Sequence, residues 1–364
     1  MKVAVVILNW NTKEYLKRFI PPLLDSIAEF NGGGSDFAEA VVADSASTDG
    51  SMEMMAELFP QVRRIPLDRN YGFTGGYNRA LGELAGENGH DLFILLNSDI
   101  EVTPGWLAPL AGWMKEHPGC GACGPKLHSW QERDRFEYAG AAGGFIDRFG
   151  YPFCRGRMLG KTEKDDGQYD TPADVLWVTG ACLAVRADVW KSLGGLDDRF
   201  FAHMEEIDLC WRMQLAGMKV TVVPQSLVYH LGGGTLPQNS PQKLYLNYRN
   251  SILMLDKNLP RTIGRRKASL RIFIRKILDG CSALVYLLML RPEYFMAVLR
   301  AHRDAAGLLK DGGKPSVRNN ADDMGPAGSG TTDGSGDGQA CGVTGIYGGC
   351  MIPRALLGLK LRVI

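Results

Sequence analysis

The 364-residue sequence has almost no net charge, few cysteines and no apolar run long enough to cross a membrane. Its formal net charge of +1 gives no reason to expect nucleic acid as a partner. The apolar run at 277–290 is interrupted by Asp279 and is shorter than the roughly 20 residues that span a bilayer. The eight cysteines are thinly spread, and a predicted strand follows Met1 at once where a signal peptide would otherwise stand. We therefore expect a globular protein of a reducing cytoplasm.

The sequence also lacks the usual cysteine and glycine motifs for zinc and dinucleotides. Cys120 and Cys123 form a lone CxxC with no second pair of zinc ligands nearby, so we interpret them as small buried residues on a strand. The glycine-rich stretch 70–76 does not follow the G-x-G-x-x-G pattern. It indicates either a close approach to phosphate or sugar, or a tight turn without a ligand.

The first hundred residues alternate apolar strands with amphipathic helices. The predicted strands are 3–8, 40–43, 62–66 and 92–96. This order predicts a parallel sheet covered by helices. We expect Thr12 to cap the first helix, and Pro21 and Pro22 to interrupt it. The polar loops that follow the strands would then meet at one edge of the sheet: 9–12, 44–51, 68–78 and 97–99.

The strand at 92–96 leads directly to a candidate ligand site. It delivers Asn97, Ser98 and Asp99 at its carboxyl end, where open α/β sheets bind ligands. A carboxylate here is suited to hold a divalent cation and a diphosphate, although an Asp that only caps a turn is the alternative. The stretch 126–172 is irregular and rich in Gly, Arg and aromatic residues, which is typical of binding loops or of a packed lid.

An acidic helix is predicted from about residue 203 to 217. Glu205, Glu206 and Asp208 crowd its first turn. Because three neighbouring carboxylates repel one another, one of them could have a raised pKa and act as a general base. The structural alternative is that acids favour helix N-termini and that Asp208 pairs with Arg212.

Two further strands are expected around this helix, at 177–183 and 219–223. His230 then ends a strand-like segment directly before three glycines. A single histidine is usually a hydrogen-bonded structural residue, so His230 becomes a metal candidate only if it lies beside Asp99.

The C-terminal third is helical and basic. Between 261 and 276 there are seven Lys or Arg and no acid, and the apolar run 277–290 follows. A basic helix beside an apolar one indicates a membrane-surface anchor, or alternatively a helical pair packed on the rest of the chain. The Gly/Ser/Asp-rich stretch 311–340 is expected to be a disordered linker, and the apolar tail 341–364 to dock on the protein or the membrane.

Taken in order, these segments resemble family 2 glycosyltransferases of the GT-A fold, and most closely their rhamnosyltransferase-like branch. The resemblance covers roughly residues 1–255. It is carried by AVVILNWN at 4–11, VADSASTDGS at 42–51, NYGFTGGYN at 70–78, LLNSD at 95–99, TGACL at 179–183, GGLDDRFFAHMEEIDLCWR at 194–212 and VYHLGGGT at 228–235. No single motif is decisive, but the ordered set is specific.

The resemblance implies a role for each candidate residue. Asp99 and His230 would bind Mg²⁺ or Mn²⁺, and Glu206 would occupy the position of the catalytic base, with Glu205 and Asp208 as the other candidates. The nucleotide-sugar pocket would comprise Asn9, Asn11, Asp44, Ser47, Asp49, Asn70 and Gly75, with Asn97 in place of the first acid of the family's DxD-like motif.

The implied protein is an inverting, metal-dependent glycosyltransferase. Its fold would be a mixed α/β GT-A sheet flanked by helices, with residues 1–240 as the catalytic domain (1–100 nucleotide-binding half, 101–240 acceptor half) and 241–310 as a helical extension. The donor would be a nucleotide-diphosphate sugar such as dTDP-rhamnose, and the acceptor a polysaccharide or lipid-linked glycan at the cytoplasmic face of the inner membrane. The alternatives are a sugar-phosphate nucleotidyltransferase and a non-catalytic nucleotide- or carbohydrate-binding protein.

Overall fold

The computed structural model describes residues 1–87, 89–158, 160–232, 240–310 and 342–351. Within these ranges the chain builds one large mixed β-sheet between layers of helices, and a second, smaller sheet beside it. The N-terminal part runs β1 (Lys2–Asn9), α1 (Lys13–Gly32), β2 (Phe37–Asp44), α2 (Ser51–Leu58), β3 (Arg63–Pro66), α3 (Gly72–Gly86), β4 (Leu92–Asn97) and β5 (Ile100–Val102).

The central part of the chain alternates short strands with short helices. It runs α4 (Leu107–Glu116), β6 (Cys120–Ser129), β7 (Gly144–Asp147), β8 (Pro152–Cys154), β9 (Arg157–Met158), β10 (Lys161–Thr162), β11 (Ala173–Asp174), β12 (Cys182–Arg186), α5 (Ala187–Leu193), a 3₁₀ turn (Asp198–Phe200), α6 (Glu205–Leu215) and β13 (Lys219–His230). Three helices follow, α7 (Pro241–Ile263), α8 (Arg265–Leu288) and α9 (Pro292–Lys310), and then β14 (Ile346–Tyr347).

The first half of the large sheet is parallel, as the sequence predicted. Its strand order is β3-β2-β1-β4, and the register sets Asn9 opposite Asp44 and Leu8 opposite Asn97. The ends of these strands therefore meet at one edge, which confirms the expected clustering of polar loops.

The second half of the sheet is mixed. β12 pairs antiparallel with β4 and β6, β13 runs parallel to β6, and β11 pairs antiparallel with β13. Helices cover both faces of the sheet, and alternate side chains of each strand point to opposite faces. On one side, Val5 and Ile7 pack with α1 and α4; on the other, Ala4 and Val6 pack with α3, α6 and α7.

Three local expectations were wrong. α1 continues through Pro21 and Pro22, because its buried face, which includes Leu16, Ile20 and Leu23, keeps it against the sheet although two backbone donors are missing. The side chain of Thr12 does not cap α1, since its hydroxyl donates to the side chain of Asn9 at 2.5 Å.

The third wrong expectation concerns the strand at 177–183. The strand of the large sheet begins only at Cys182, because the indole of Trp177 turns away and donates from Nε1 to the carbonyl of Phe145 in the smaller sheet.

The C-terminal helices pack on one another, and α7 also packs on α6. None of the described helices combines the length and apolarity needed to cross a membrane. The predicted linker 311–340 lies outside the described residues, as do 341 and 352–364. Part of the tail docks on the protein: β14 pairs parallel with β7, and the buried Met351 donates its amide to Asp147 at 3.0 Å.

Candidate active site

Asp99 and His230 lie side by side at the carboxyl edge of the large sheet. β5 pairs antiparallel with β13 so that Ile100 lies opposite His230, and the amide of Leu231 donates to the carbonyl of Asp99 at 3.0 Å. This pairing brings the Oδ1 of Asp99 to 3.2 Å from the Nε2 of His230. Beyond the ring, the Oε2 of Glu137 lies 3.2 Å from Nδ1. A buried histidine is thus held between two buried carboxylates.

The charges in this cluster stabilise one another. Burial alone would lower the pKa of His230, but the carboxylates of Glu137 and Asp99 outweigh it and raise that pKa to about 10. Burial also opposes ionisation of Asp99, yet His230 holds the pKa of Asp99 below its ordinary value. The Nδ1 of His230 makes an ionic contact with Glu137 without the alignment of a hydrogen bond.

The pair formed by Asp99 and His230 could hold a divalent cation once His230 has released its proton, because only a neutral imidazole nitrogen can be a metal ligand. The Oδ1 of Asp99 and the Nε2 of His230 lie 3.2 Å apart, close enough for both atoms to be ligands of one ion. Within the described ranges no cluster of three or more His, Cys, Asp or Glu side chains is arranged to hold a metal. Mg²⁺ is commonly bound by few protein ligands together with waters and substrate phosphates, so Asp99 and His230 would be compatible with such a site.

Asn9 organises the loops that follow β1 and β2. Its side chain is fully buried, and Nδ2 lies within hydrogen-bond distance of Asp44 at 2.7 Å, Ser51 at 2.8 Å and Ser47 at 3.0 Å. Its Oδ1 accepts from the Thr12 hydroxyl. Three of the predicted pocket residues are thus brought together, with Asn9 as the hub of their hydrogen bonds.

The other predicted pocket residues of these loops shape the backbone. The Oδ1 of Asn11 accepts from the amide of Thr48 at 2.7 Å, while its own amide donates to the Ser47 hydroxyl at 2.9 Å. The carboxylate of Asp49 accepts from the amides of Lys13 and Ser51. Asn11 remains exposed and Ser47 partly exposed, so both can still reach a ligand.

The glycine-rich turn packs against its own side chains. The Oδ1 of Asn70 accepts from the amide of Gly72 at 2.8 Å. A Cβ on Gly75 would lie 2.8 Å from the Cβ of Tyr71, so glycine is required there for close packing. Asn97 is half-exposed at the end of β4, and its amide donates to the carbonyl of Ala181 at 2.9 Å.

The three acids of α6 lie in different environments. Asp208 is fully buried and accepts from Arg212 at 2.8 Å, Lys257 at 3.1 Å and Asn258 at 2.8 Å. The predicted Asp208–Arg212 pair is therefore present. Glu205 and Glu206 have no such partners, and one carboxylate oxygen of each is buried without a hydrogen bond among the described residues.

Burial without a cation raises the pKa of both glutamates. Burial raises the pKa of Glu206 to about 7, and burial together with the neighbouring Glu206 charge raises that of Glu205 well above its ordinary value. Glu205 is almost fully buried, whereas Glu206 is partly exposed. A pKa of about 7 lets Glu206 exist in both protonation states near neutral pH, as a general base requires.

Glu206 lies at the same edge as the metal candidates but does not touch them. Its Cβ packs 3.5 Å from where a Cβ on Gly180 would lie, and that same position contacts Phe73 of the glycine-rich turn. The next residue, Ala181, accepts from the amide of Asn97. No hydrogen bond or ion pair joins Glu206 to Asp99 or His230 in the described ranges.

Sequence reasoning missed residues that support the site from elsewhere in the chain. Glu137 lies within the irregular stretch that was assigned to binding loops or a lid, but no local pattern distinguishes it. Arg249 and Asn250 on α7 bond the loop that precedes α6, although they were considered only as part of a basic helix. Only the fold reveals these contacts.

A mixed sheet with this strand order, with its polar loops and an Asp–His pair at the carboxyl edge, defines the GT-A class of glycosyltransferases. The chain belongs to glycosyltransferase family 2. The family described as "Glycosyl transferase family group 2" matches residues 92–298, more than half of the chain, and "Glycosyl transferase family 2" matches residues 4–172. The predicted family, fold class and enzyme class are thereby confirmed.

Two relatives are named as rhamnosyltransferases. The chain is 28% identical over 267 residues to the N-acetylglucosaminyl-diphospho-decaprenol L-rhamnosyltransferase of Mycobacterium tuberculosis, and the alignment covers 70% of this chain and 83% of that protein. It is 24% identical to the dTDP-rhamnosyl transferase RfbF of Shigella flexneri, with 60% and 71% covered. The expected rhamnosyltransferase-like branch is thus supported.

Solved structures share the fold at low sequence identity. GalNAc-T7, crystallised with UDP, GalNAc and Mn²⁺, aligns with a TM-score of 0.53 at 18% identity over 70% of this chain and 48% of its own. Residues 1–349 of S. aureus TarS align with a TM-score of 0.50 at 16% identity over 83% and 81%. At these identities the comparison concerns the fold alone.

Proposed function

We propose that this enzyme transfers a sugar, rhamnose in the first instance, from a nucleotide-diphosphate donor to a lipid-linked glycan or a cell-surface polysaccharide, with inversion at the anomeric carbon. The observation that carries the proposal is the buried Asp99–His230 pair, set 3.2 Å apart at the same sheet edge as a glutamate whose pKa is raised to about 7. The names of the relatives support rhamnose and a diphospho-lipid acceptor.

The residues of the site have separate tasks. Asp99 and His230 would hold Mg²⁺ or Mn²⁺, which supplies positive charge that stabilises the departing diphosphate. The loops joined by Asn9 and Asp44 would bind the base and ribose. Glu206 accepts the proton of the acceptor hydroxyl while that oxygen bonds to the anomeric carbon and the bond to the diphosphate breaks on the opposite face. Such direct attack inverts the configuration without a covalent intermediate.

The division of labour follows the sheet. We assign residues 1–100 to the nucleotide and 101–240 to the acceptor and the catalytic acids, with the helices of 241–310 as an extension. Family membership argues against a sugar-phosphate nucleotidyltransferase, which would form a new nucleotide–sugar phosphate bond instead of consuming one.

The outer face of α8 supports contact with an anionic membrane surface. Its inner face is buried against α7 and α9, whereas Leu270 and Phe273 are 60% and 61% exposed, and Leu288 and Leu290 at its end are 83% and 87% exposed. Contiguous exposed apolar surface of this kind is unusual in a monomer. Exposed cations flank it at the start of the helix: Arg265, Arg266 and Lys267.

The charge of this face of α8 favours an anionic membrane as its binding partner. In α8 the acidic residue is Asp279, which is buried and paired with Arg275, so the exposed charge of the helix is basic. A helix with apolar and basic residues on its open side fits the headgroup region of an anionic bilayer. A lipid-linked acceptor would then lie within reach of the enzyme.

Vesicle flotation tests the membrane contact. The wild-type protein should float with phosphatidylglycerol vesicles and not with phosphatidylcholine vesicles. Leu288→Glu/Leu290→Glu should abolish flotation, while the control Phe37→Glu/Leu58→Glu, which changes exposed apolar residues elsewhere, should not. A concentration-dependent dimer that only the first variant dissociates would assign this face to a second copy of the chain and refute the membrane contact.

Donor binding tests the function itself. Thermal shift with a panel of nucleotide sugars, with and without Mn²⁺, should give stabilisation by dTDP-rhamnose only when the metal is present, because a ligand that binds the native state raises its stability. Transfer to a diphospho-lipid glycan should then release dTDP. Release of a sugar phosphate in place of dTDP, or equal binding without metal, would contradict the proposal.

A further inference from the structure

The loop that leads into α6 is strained. Phe201, His203 and Met204 have φ angles of 65°, 71° and 72°, in the left-handed region that side chains other than glycine rarely adopt. Each such residue costs on the order of 1 kcal/mol and persists only where the surroundings enforce it. The strain ends where α6 begins, at Glu205, directly before the proposed base Glu206.

Two side chains of α7 hold this loop. Asn250 is fully buried, and its Nδ2 lies within hydrogen-bond distance of three carbonyls, of Phe200 at 2.9 Å and of Ala202 and His203 at 2.7 Å each. An Nη of Arg249 lies 2.8 Å from the same Phe200 carbonyl and 3.0 Å from that of Arg199. Of the five consecutive residues 199–203, all except Phe201 thereby direct their carbonyls at α7.

The remaining carbonyl faces the opposite side. The amide of Thr74, in the first turn of α3, donates to the carbonyl of Phe201 at 3.2 Å. A Cβ on Gly72 would lie 2.5 Å from the ring of Phe201, so only glycine permits this approach. The loop is therefore held between α7 and the glycine-rich turn, on the side of the proposed nucleotide pocket.

We propose that Asn250, assisted by Arg249, is a positioning residue that fixes the start of α6 and thereby the carboxylate of Glu206. A relaxed loop would let the first turn of α6 shift, and misplacement of a catalytic group by about 1 Å can cost up to about 100-fold in rate. The inference rests on the proposed function, because it assigns Asn250 to the geometry of the proposed base.

The test compares Asn250→Ala with Asn258→Ala. Both residues are fully buried on α7, but Asn258 bonds Asp208 and not the loop. Both variants should lower the melting temperature. Only Asn250→Ala should lower kcat by about tenfold or more while the donor KM stays unchanged. It should also move the acidic limb of the pH–kcat profile to lower pH, because hydration of Glu206 lowers its pKa. Hydrogen exchange of the backbone amides at 201–206 should become faster. Arg249→Ala, a milder change, should act in the same direction if Asn250→Ala does not fold.

The outcomes separate the two proposals. If the wild type, Asn250→Ala and Arg249→Ala have the same kcat and the same acidic limb of the pH–kcat profile, the positioning role is overturned and the proposed function is left intact. The same loss of kcat in Asn258→Ala would also overturn it, because general destabilisation would then explain the effect. Absence of transfer by the wild-type enzyme with every donor would refute the proposed function and, with it, the catalytic role of the loop.

Discussion

Glu206 and Asp208 lie two residues apart in the first turn of one helix, and only Asp208 is neutralised by cations. Arg212 and Lys257 bond Asp208 on the buried side of α6, whereas the Cβ of Glu206 lies beside Gly180. Residues two apart in a helix differ by about 200° in direction around its axis, so Asp208 and Glu206 point to nearly opposite sides of α6. Asp208 is a structural acid, and Glu206 is the proposed base.

We expect Asp208→Asn to destabilise the fold by about 3 kcal/mol, because it leaves Arg212 and Lys257 without their buried counter-charge. Burial opposes the charge on Asp208, but Arg212 and Lys257 hold its pKa below the ordinary value. The stabilisation is therefore present above the ordinary carboxyl pKa and lost as the pH falls through the lowered one. Urea unfolding at pH 7 and at pH 3 measures this. Loss of transfer with unchanged stability would identify Asp208 as the base instead.

We expect Glu206→Gln to bind donor normally and to lose transfer by at least about 100-fold, since general base catalysis contributes that much. In the wild type, kcat should rise with pH with a midpoint at about 7, the pKa of Glu206, and level off once that carboxyl has lost its proton. Initial rates between pH 5 and 9, with donor affinity measured in parallel, test both statements. The matched variant Glu205→Gln should retain a pH profile with the same midpoint; a Glu206→Gln enzyme with full activity would move the role to Glu205.

Glu206→Gln should also stabilise the protein at neutral pH. A carboxyl whose folded pKa is raised costs stability as the pH rises from its unfolded pKa to its folded one, because only the unfolded state releases the proton there. The advantage of Glu206→Gln should thus be absent at pH 4, grow towards pH 7 and amount to at most about 3 kcal/mol. Melting temperatures across this range check the prediction, and a constant difference would contradict it.

We expect Asp99→Asn to abolish binding of Mn²⁺ in calorimetry with the nucleotide present, because an amide is a weaker ligand than a carboxylate and leaves only His230 in place. The control Asp25→Asn removes an exposed carboxylate from α1 and should bind as wild type. His230→Gln should weaken binding in the same way. Normal metal affinity in both site variants would show that the cation lies elsewhere.

The sequence was sufficient for the parts of the fold that depend on local pattern. Apolar runs predicted the parallel strands, and the polar residues that follow them predicted the sheet edge at which Asn9, Asp44 and Asp99 lie. His230 could be placed beside Asp99 only through the family resemblance, because the antiparallel pairing of β5 with β13 joins segments far apart in the chain.

Long-range contacts account for what the sequence did not reveal. The proline pair in α1 is tolerated because the helix is anchored by burial, which local propensity ignores. Glu137 faces His230 because its amide donates to the carbonyl of Leu127 in β6, the strand that pairs with β13. In the sequence Asn250 has no feature that distinguishes it from other helical residues. Its contact with the strained loop follows from the packing of α7 on α6.

We expect the side chain of Asn9 to contribute both to the stability of the fold and to donor binding, because its amide group joins the loops after β1 and β2. Asn9→Ala leaves the buried carboxylate of Asp44 without its 2.7 Å donor, and we expect a loss of about 2 kcal/mol in stability together with a higher donor KM. Asn31→Ala is the matched control, because Asn31 also makes two side-chain hydrogen bonds, to the backbone of Ala38 at the amino end of β2. It should lower stability without changing KM. Urea unfolding and donor titration distinguish the two, and an equal KM in both variants would show that the Asn9 network serves the fold and not the nucleotide.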